Sequence, residues 1–559
     1  MAPFWTGWRR SSTSSSPNAV ASRTWNPNEQ RRPRSCRASA RSPQRWLVPS
    51  CPPAQNGGTV TPRREDARRP TLFAGCVPEV AVGADGRIAA TGPAARAAAG
   101  RDADVLTLRG RAHPGLGDAH LHLEWLARSA LGADLTGAGT RREALARVSD
   151  FARRRPQAPW ITGSGWCNDD WSDDAGALTR GELDGMAGGR PVLLTRKDGH
   201  SACLSSAALA AVPITRETPD LPGGVVDRDS AGEPTGMVRE EACNLAQRAV
   251  PPPGDADLDT ALLTVLQRLT QAGLTAVHAM DQPGLFRSLQ RLHQARGLPL
   301  RVVWNLPVAE LAAAEALGVT SGLGDDWLRV WGVKAFLDGS LGSRTAEMLD
   351  GSGVVVTPQE DLVDIVRRCA AGHLNVCLHA IGDGAVRRAL DALEPLRGAW
   401  RLWRPRVEHA QCVDPADIPR FASIGVIASM QPAHAIADRA VADVEWPGRT
   451  TSAYAWGALE RSGARLAFGS DAPVEDPSPL LGIEAATTWR SRADWHPELA
   501  LTRASALRAY SRGVAYAAGM EADLGALRAG MLCDLTLIED NAVTATIVDG
   551  HVAWSSLST

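Results

Sequence analysis

Lysine is nearly absent from this chain of 559 residues, which contains only Lys197 and Lys334. Almost every other basic side chain is an arginine, a bias that fits a GC-rich coding sequence. A guanidinium stays protonated in proteins, whereas a lysine amine can lose its proton and be modified. A lysine retained against this bias is therefore a candidate for chemistry that arginine cannot perform.

Three further absences narrow the class of protein. No run of about 18 apolar residues occurs, so we predict no transmembrane helix. The ten cysteines form no CxxC pair, which argues against a disulfide framework or a thiolate zinc site and favours a reducing, cytoplasmic compartment. The formal net charge of -2 gives no signal for binding nucleic acid. With 44% hydrophobic residues, the chain can bury a sizeable core.

Residues 1–69 differ in composition from the rest of the chain. They are rich in Arg, Ser and Pro, poor in acidic residues, and show no strand or helix periodicity. Such a segment is typical of a disordered tail or of an Arg- and Ser-rich transit peptide, and it also fits an upstream extension through a misassigned start. We favour a tail or a misassigned start and exclude the segment from the fold.

Both ends of the remaining chain contain short strand-like runs. Residues 70–112 include Asp85-Gly86 as a hairpin signal, and residues 521–557 include Asp549-Gly550 as a second one. Two β-rich pieces at opposite ends of a chain often form one small sheet domain that flanks the middle. We predict such a domain here.

The middle of the chain, residues 113–520, alternates β-branched apolar runs with amphipathic stretches, which is the pattern of a parallel sheet in an α/β protein. Eight runs can be counted, and eight such units predict a (β/α)8 TIM-type barrel. About 150 residues separate the first run from the second, so we predict an insertion after strand 1, at about 135–255. The eight runs lie at residues 114–122, 274–280, 300–306, 329–337, 375–380, 405–410, 425–431 and 465–471.

The first run carries two histidines with a spacing that suits metal binding. His120 and His122 are two apart, and because strand side chains alternate, both project from the same face and can bind one ion. Asp118 precedes them on that face. An HxH pair alone is more often structural, but this pair ends the first barrel strand, where barrel active sites lie.

Three later runs also end in residues that can bind metal. His379 follows NVCL, His409 follows RPRVE, and Asp471 closes the eighth run in FGSDAPVED. Each has a plainer interpretation, since a lone strand-end histidine is often a core residue and an aspartate after Gly-Ser is often a turn residue or a helix N-cap. Their shared position at strand ends favours a metal site.

Lys334 lies at the end of the fourth run, in VWGVKAFLDG. An unmodified ammonium would repel divalent cations, so a lysine suits this place only if it loses its charge. A carbamate formed with CO₂ would supply two anionic oxygens that bridge two ions. The alternative is a barrel lysine paired with an acid such as Asp338.

Taken together, these segments resemble the metal-dependent amidohydrolase superfamily, and more narrowly the family 3 group of YtcJ-like proteins and N-substituted formamide deformylases. The resemblance covers about residues 71–557 and implies a barrel joined to a small β-sandwich that both chain ends form. The matching segments are PGLGDAHLHL, VKAFLDGSLGSRTA, LHAIGDGAV, RPRVEHAQ, GSDAPVEDPSPLLGIEAA and GALRAGMLCDLTLIE.

The resemblance also implies roles for the site residues. Two strand-1 histidines bind the more buried ion, the histidines of strands 5 and 6 bind the other, the lysine bridges as a carbamate, and the aspartate binds metal and acts as the base. One or two divalent ions are expected, with zinc foremost, though an N/O site accepts several metals. The six implied ligands are His120, His122, Lys334, His379, His409 and Asp471.

The expected function is hydrolysis of a carbon–nitrogen bond in a linear, non-peptide amide, such as an N-substituted formamide, by a metal-bound hydroxide. Asp471 would move the proton to the leaving nitrogen. The alternatives are hydrolysis of a cyclic amide, carbamate or ester at the same site, or a non-catalytic regulatory relative. The expected partner is a small-molecule amide rather than nucleic acid or membrane, and a homodimer is one option for the oligomeric state.

Three further residues are candidates for substrate binding. His200 lies in a Lys-Asp-Gly-His segment that faces the active site in the resembled family, although a surface loop is an equal alternative. Trp166 and its neighbour Trp171 would wall the pocket or simply pack in the core. Arg344 would bind an anionic group or form a structural ion pair, and His278 would lie behind the metal ligands.

Overall fold

Eight parallel strands form the central sheet of the protein, as the sequence predicts. Each strand pairs with the next in chain order, and every strand is buried along most of its length, because a sheet covered on both faces is apolar throughout. The strands are β1 (Leu116–Leu121), β2 (Leu274–Ala279), β3 (Arg301–Pro307), β4 (Leu328–Phe336), β5 (Asn375–Ala380), β6 (Arg406–His409), β7 (Ile427–Met430) and β8 (Arg465–Phe468).

The sheet is nearly closed into a barrel at the seam between β1 and β8. No ladder joins these two strands among the described residues, but the chain leaving β8 bonds to β1. The backbone N–H of Asp471 donates to the carbonyl of His120 at 2.7 Å, and the N–H of Ser470 donates to the Asp118 carboxylate at 3.1 Å. The mixed α/β barrel class is therefore confirmed.

Helices alternate with the barrel strands and cover the sheet. Their apolar faces join the strands in one large core cluster. Two π-helical segments, Ala485–Trp489 and Ala509–Gly513, follow the eighth strand. The α-helices are Leu123–Ala130, Asp255–Gln271, Pro283–Ala295, Leu311–Leu317, Gln359–Ala371, Asp383–Leu393, Ile418–Ile424, His434–Glu445, Trp456–Arg461, Pro479–Glu484, Arg490–Ala493, Arg503–Arg508 and Val514–Ala517.

The two ends of the chain form two four-stranded sheets. The predicted turns are present, since Gly86 and Asp549-Gly550 adopt positive φ between paired strands. The amino-terminal strand Arg111–Pro114 pairs with Leu535–Glu539, so strands from both ends of the chain share one sheet. The other strands are Thr71–Ala74, Val80–Val82, Ile88–Thr91 and Asp104–Thr107 in one sheet, and Ala542–Val548 and His551–Ser555 in the other.

Residues 134–250 form a compact unit of their own between β1 and β2. A six-stranded sheet and the helices that pack on it enclose a separate apolar cluster. The strands are Ala133–Asp134, Ile161–Trp166, Val192–Arg196, Ser201–Leu204, Gly224–Arg228 and Pro234–Glu240, and the helices are Arg141–Arg154, Arg180–Asp184, Ser206–Ala211 and Glu241–Ala249.

This computed structural model describes residues 69–168, 171–173, 176–197, 199, 201–219, 224–342 and 344–556. Nearly all of the predicted tail and the candidate His200 lie outside these residues. None of the described helices combines the length and the apolar character needed to cross a membrane.

Candidate metal centre

Three candidate ligand atoms meet where β1 and β8 end. The Oδ1 atom of Asp471 lies 3.2 Å from Nε2 of His122 and 3.5 Å from Nε2 of His120. His120 is fully buried, and Asp471 is 9% exposed. Two imidazoles and a carboxylate at this spacing can bind a divalent cation.

The backbone at two of the candidate ligands is left-handed. Asp471 has a φ of 61° and His409 a φ of 71°. Such values are uncommon for residues other than glycine, and where they persist they concentrate at functional sites. At both positions the chain turns sharply as it leaves a barrel strand.

The ring nitrogens of His120 and His409 that face away from the site have acceptors. Nδ1 of His120 lies 2.7 Å from the Glu408 carboxylate, and Nδ1 of His409 lies 2.9 Å from Oε1 of Gln431. A metal-binding histidine almost always donates its other ring N–H to such an acceptor, which orients the ring. This arrangement leaves Nε2 of each histidine available for a cation.

His379 shows the same pattern with the opposite nitrogen. Its Nε2 lies 3.0 Å from the backbone carbonyl of Gly339, which leaves Nδ1 available. The ring packs against His409, with centroids 4.6 Å apart, and against Phe336, with centroids 5.0 Å apart. The His409 ring in turn lies 4.7 Å from that of His120. The four predicted histidines thus form one cluster.

Lys334 also lies in this cluster. Its Nζ is buried 3.4 Å from Nε2 of His120. The alternative pairing with Asp338 does not occur among the described residues, because Asp338 instead accepts the backbone N–H groups of Ile381, Gly382 and Glu347. All six predicted ligands are therefore brought together at the ends of five strands.

A buried ion pair lies directly behind His120. The Arg406 guanidinium bonds to Glu408 at 3.0 Å and to Nδ1 of His278 at 2.8 Å. Although burial raises the pKa of Glu408, the charge of Arg406 and the hydrogen bond from His120 hold it well below its usual range. Glu408 is therefore a charged acceptor for His120, and His278 contacts this ion pair through Arg406.

Burial sets the protonation states of the cluster. Burial, together with the charge of Lys334, lowers the pKa of His120 to about 4 and that of His379 to about 3. Both rings are therefore neutral near pH 7, the form that binds metal. Burial also lowers the pKa of Lys334 itself.

Asp471 is held as a carboxylate despite its burial. Burial raises its pKa, but the neighbouring imidazoles of His122 and His434 lower it well below the usual range. Its Oδ1 atom has no hydrogen bond of good geometry to any described residue, although it lies between two imidazole nitrogens. A buried anionic oxygen in this setting fits a cation, so the residues present suit a divalent metal.

His434 was not among the predicted site residues. Its Nε2 lies 3.3 Å from Oδ2 of Asp471, and its ring is buried. The sequence does contain a signal for it, because Pro-Ala-His directly follows the seventh run. Glu408 and Gln431 were also missed, since their role depends on which histidine they contact.

The structure places two substrate-binding candidates in other settings. Trp166 is fully buried in the sheet of residues 134–250, where it stacks on Trp171 and donates to the Leu194 carbonyl at 3.0 Å. Arg344 is mostly exposed and pairs with Glu445 at 2.8 Å. Both contacts match the plainer of the two interpretations that the sequence allowed.

A profile of the amidohydrolase family matches residues 108–549, which is most of the chain. The chain belongs to this family. Among amidohydrolase relatives, the protein YtcJ of Bacillus subtilis is 30% identical over 79% of this chain and 88% of its own. N-substituted formamide deformylase of Arthrobacter pascens is 26% identical over 82% of this chain and 89% of its own.

A similar solved structure supports the fold. The crystal structure of an uncharacterized metal-dependent hydrolase from Pyrococcus furiosus has a TM-score of 0.68 and 28% identity, and the match covers 83% of this chain and 95% of that one. The predicted family is therefore confirmed, together with its barrel.

Proposed function

We propose that this protein is a metal-dependent hydrolase that cleaves the carbon–nitrogen bond of a linear amide, with an N-substituted formamide as the first candidate. The observation that carries the proposal is the group formed by His120, His122 and Asp471, whose ligand atoms lie within 4.8 Å of one another. The formamide assignment is supported by the similarity to the deformylase of Arthrobacter pascens.

In the proposed mechanism, the ion and the buried residues have different chemical roles. A divalent ion, with zinc foremost, would supply Lewis acidity and an activated water when bound to these ligands. Asp471 takes the proton of the attacking water and delivers it to the leaving nitrogen, as a general acid–base does. The hydrogen bond between His120 and Glu408 holds the imidazole in one orientation, so that its Nε2 is available to bind the ion.

We propose that Lys334 is carboxylated by CO₂ and bridges two ions. An ammonium 3.4 Å from Nε2 of His120 would repel a cation held there, whereas a carbamate contributes negative charge. Bond formation joins the lysine nitrogen to the carbon of CO₂, with loss of one proton from the amine.

We also propose that the two terminal sheets act together as a β-sandwich domain and that residues 134–250 are an insertion into the barrel. The terminal sheets share one apolar cluster, in which Phe73 and Ile88 of one sheet pack with Leu535 and Ile547 of the other.

The first test is metal-dependent hydrolysis of a panel of N-substituted formamides, other linear amides, cyclic amides, carbamates and esters. We expect turnover of a linear amide that disappears with chelator and returns with zinc. Preferential turnover of a cyclic amide, carbamate or ester would support the assignment as a hydrolase but would contradict the proposed substrate class. Turnover that persists after complete metal removal would reject the metal-dependent mechanism.

A second test addresses Asp471 itself. We expect Asp471→Ala to lower kcat by about 10²-fold or more, because general acid–base catalysis contributes about 10²–10⁴-fold. Metal content is measured on the same sample, together with an exposed control, Asp361→Ala, on the helix Gln359–Ala371. Near-normal turnover of Asp471→Ala with metal bound would show that this carboxylate is not the base.

A further inference from the structure

The ring of His434 lies on the opposite side of Asp471 from the strand-1 histidines. Oδ1 of Asp471 faces His120 and His122, whereas Oδ2 lies 3.3 Å from Nε2 of His434. His434 is the first residue of the helix that follows β7, and its ring is buried. None of the roles proposed above uses this side chain.

Asp471 also belongs to a second group of candidate ligand atoms. The ligand atoms of His409, His434 and Asp471 all lie within 4.8 Å of one another. Because Nδ1 of His409 bonds to Gln431, its Nε2 is the nitrogen available to this group. Two imidazoles and a carboxylate form a donor set that zinc and similar ions accept.

The spacing of the donors suits tetrahedral coordination. Ligands about 2.0–2.1 Å from a tetrahedral zinc ion lie about 3.3 Å from one another. The distances from the Asp471 oxygens to the nitrogens of His434, His122 and His120 are 3.3, 3.2 and 3.5 Å. Each oxygen of the carboxylate therefore faces imidazole nitrogen at the separation that a shared cation requires.

His379 is placed differently. Its Nε2 bonds to the carbonyl of Gly339, and its ring nitrogens belong to neither group of three ligand atoms among the described residues. The resemblance to the family places the second ion on His379 and His409, so the arrangement around Oδ2 adds a residue that this resemblance does not predict.

We infer that His434 is a ligand of a second cation, which it binds together with His409 and Oδ2 of Asp471. Asp471 then binds two cations, one through each oxygen. This inference rests on the proposed metal-dependent site but not on its substrate. It is compatible with a Lys334 carbamate and with a contribution from Nδ1 of His379.

The test is metal content per chain, measured by elemental mass spectrometry after equilibration with zinc and removal of free metal. We expect about two ions in the wild-type protein and about one in His434→Asn, because the shorter amide cannot replace the imidazole. The control is His293→Asn, a partly exposed histidine that pairs with Asp325 on the outer helical layer and should retain both ions. Circular dichroism checks the fold, and His434→Gln is used if His434→Asn does not fold.

A competition with chelator gives a second readout that does not depend on turnover. In the variant, the chelator concentration that removes the second ion should be at least about tenfold lower than in the wild type. The first ion should be released at the same chelator concentration as in the wild type. Two ions held as tightly as in the wild type would overturn the inference and leave His434 as a hydrogen-bond donor to Asp471. A wild-type protein with one ion would overturn the second site alone, and one with none would also overturn the proposed function.

Discussion

At the scale of single residues, the candidate metal centre depends on side chains that are not themselves proposed ligands. Glu408, one residue before His409 in the chain, bonds not to that histidine but to His120 across the barrel. The Arg406 guanidinium donates a hydrogen bond to the same carboxylate. The ring orientation of a strand-1 ligand is thus decided by two residues of strand 6, and such outer partners affect metal affinity nearly as strongly as ligands do.

Replacing Glu408 with Gln should therefore weaken metal binding without removing a ligand. An amide is a weaker acceptor for the His120 N–H than a carboxylate, so we expect about 10–100-fold lower affinity for zinc, measured by competition with a chromogenic chelator. The matched control is Glu360→Gln on an exposed helix position, which should bind zinc like the wild type. Unchanged zinc affinity in a folded Glu408→Gln protein would contradict this role.

At the scale of elements, the site depends on how closely β8 approaches β1. Gly469 follows β8, and a Cβ atom there would lie 2.5 Å from Oδ1 of Asp118 and 2.6 Å from the backbone nitrogen of His120. Only a glycine permits this approach, which also allows the Asp471 N–H to bond to the His120 carbonyl. Gly469, two residues before the proposed base Asp471, therefore cannot carry a side chain, because the barrel closes there.

We expect Gly469→Ala to destabilise the protein by about 1–3 kcal/mol, the usual cost of overpacking, and to lower zinc content as the seam opens. The comparison is Gly284→Ala in the helix Pro283–Ala295, where a Cβ meets nothing within 4 Å. That control should be neutral or slightly stabilising, since alanine favours helix. Urea denaturation of the two variants gives the measurement, and equal stabilities would show that the seam tolerates a methyl group.

At the scale of the whole molecule, the barrel is fastened to the terminal sheet by a buried ion pair. Arg301 in β3 makes two bonds to Asp534, at 2.8 and 2.9 Å, and lies 3.4 Å from Asp549. All three side chains are almost fully buried. The two aspartates flank strands of the carboxy-terminal sheet, so this contact couples residues more than 200 positions apart.

Arg301→Met should cost about 3–5 kcal/mol of stability, because removing one partner leaves buried carboxylates without their countercharge. Arg368→Met provides a matched comparison, since Arg368 makes the same bidentate contact with Glu315 on the surface, at 3.0 and 2.6 Å. A surface pair of this kind contributes at most about 1 kcal/mol after screening by solvent. Equal losses in urea denaturation would mean that burial adds nothing to the Arg301 contact.

The predictability of the site differs from residue to residue. His120, His122, His379, His409 and Asp471 could be predicted because each closes an apolar run, and the ends of parallel strands meet at one face of a barrel. His434 could not be predicted in this way, since it does not close an apolar run but is the first residue of the helix that follows β7. Trp166 shows a different limit, because the sequence does not indicate whether an aromatic residue beside a polar segment lines a pocket or packs in a core.

The sequence by itself determined the strands, their order and the family, because hydrophobic periodicity and short motifs are local properties of the chain. Only the tertiary structure decided which side chains meet: Glu408 with His120, His434 with the second oxygen of Asp471, and Arg301 with Asp534. Each of these contacts joins residues far apart in the chain, and their distances follow from strand register and barrel closure, which no local pattern encodes.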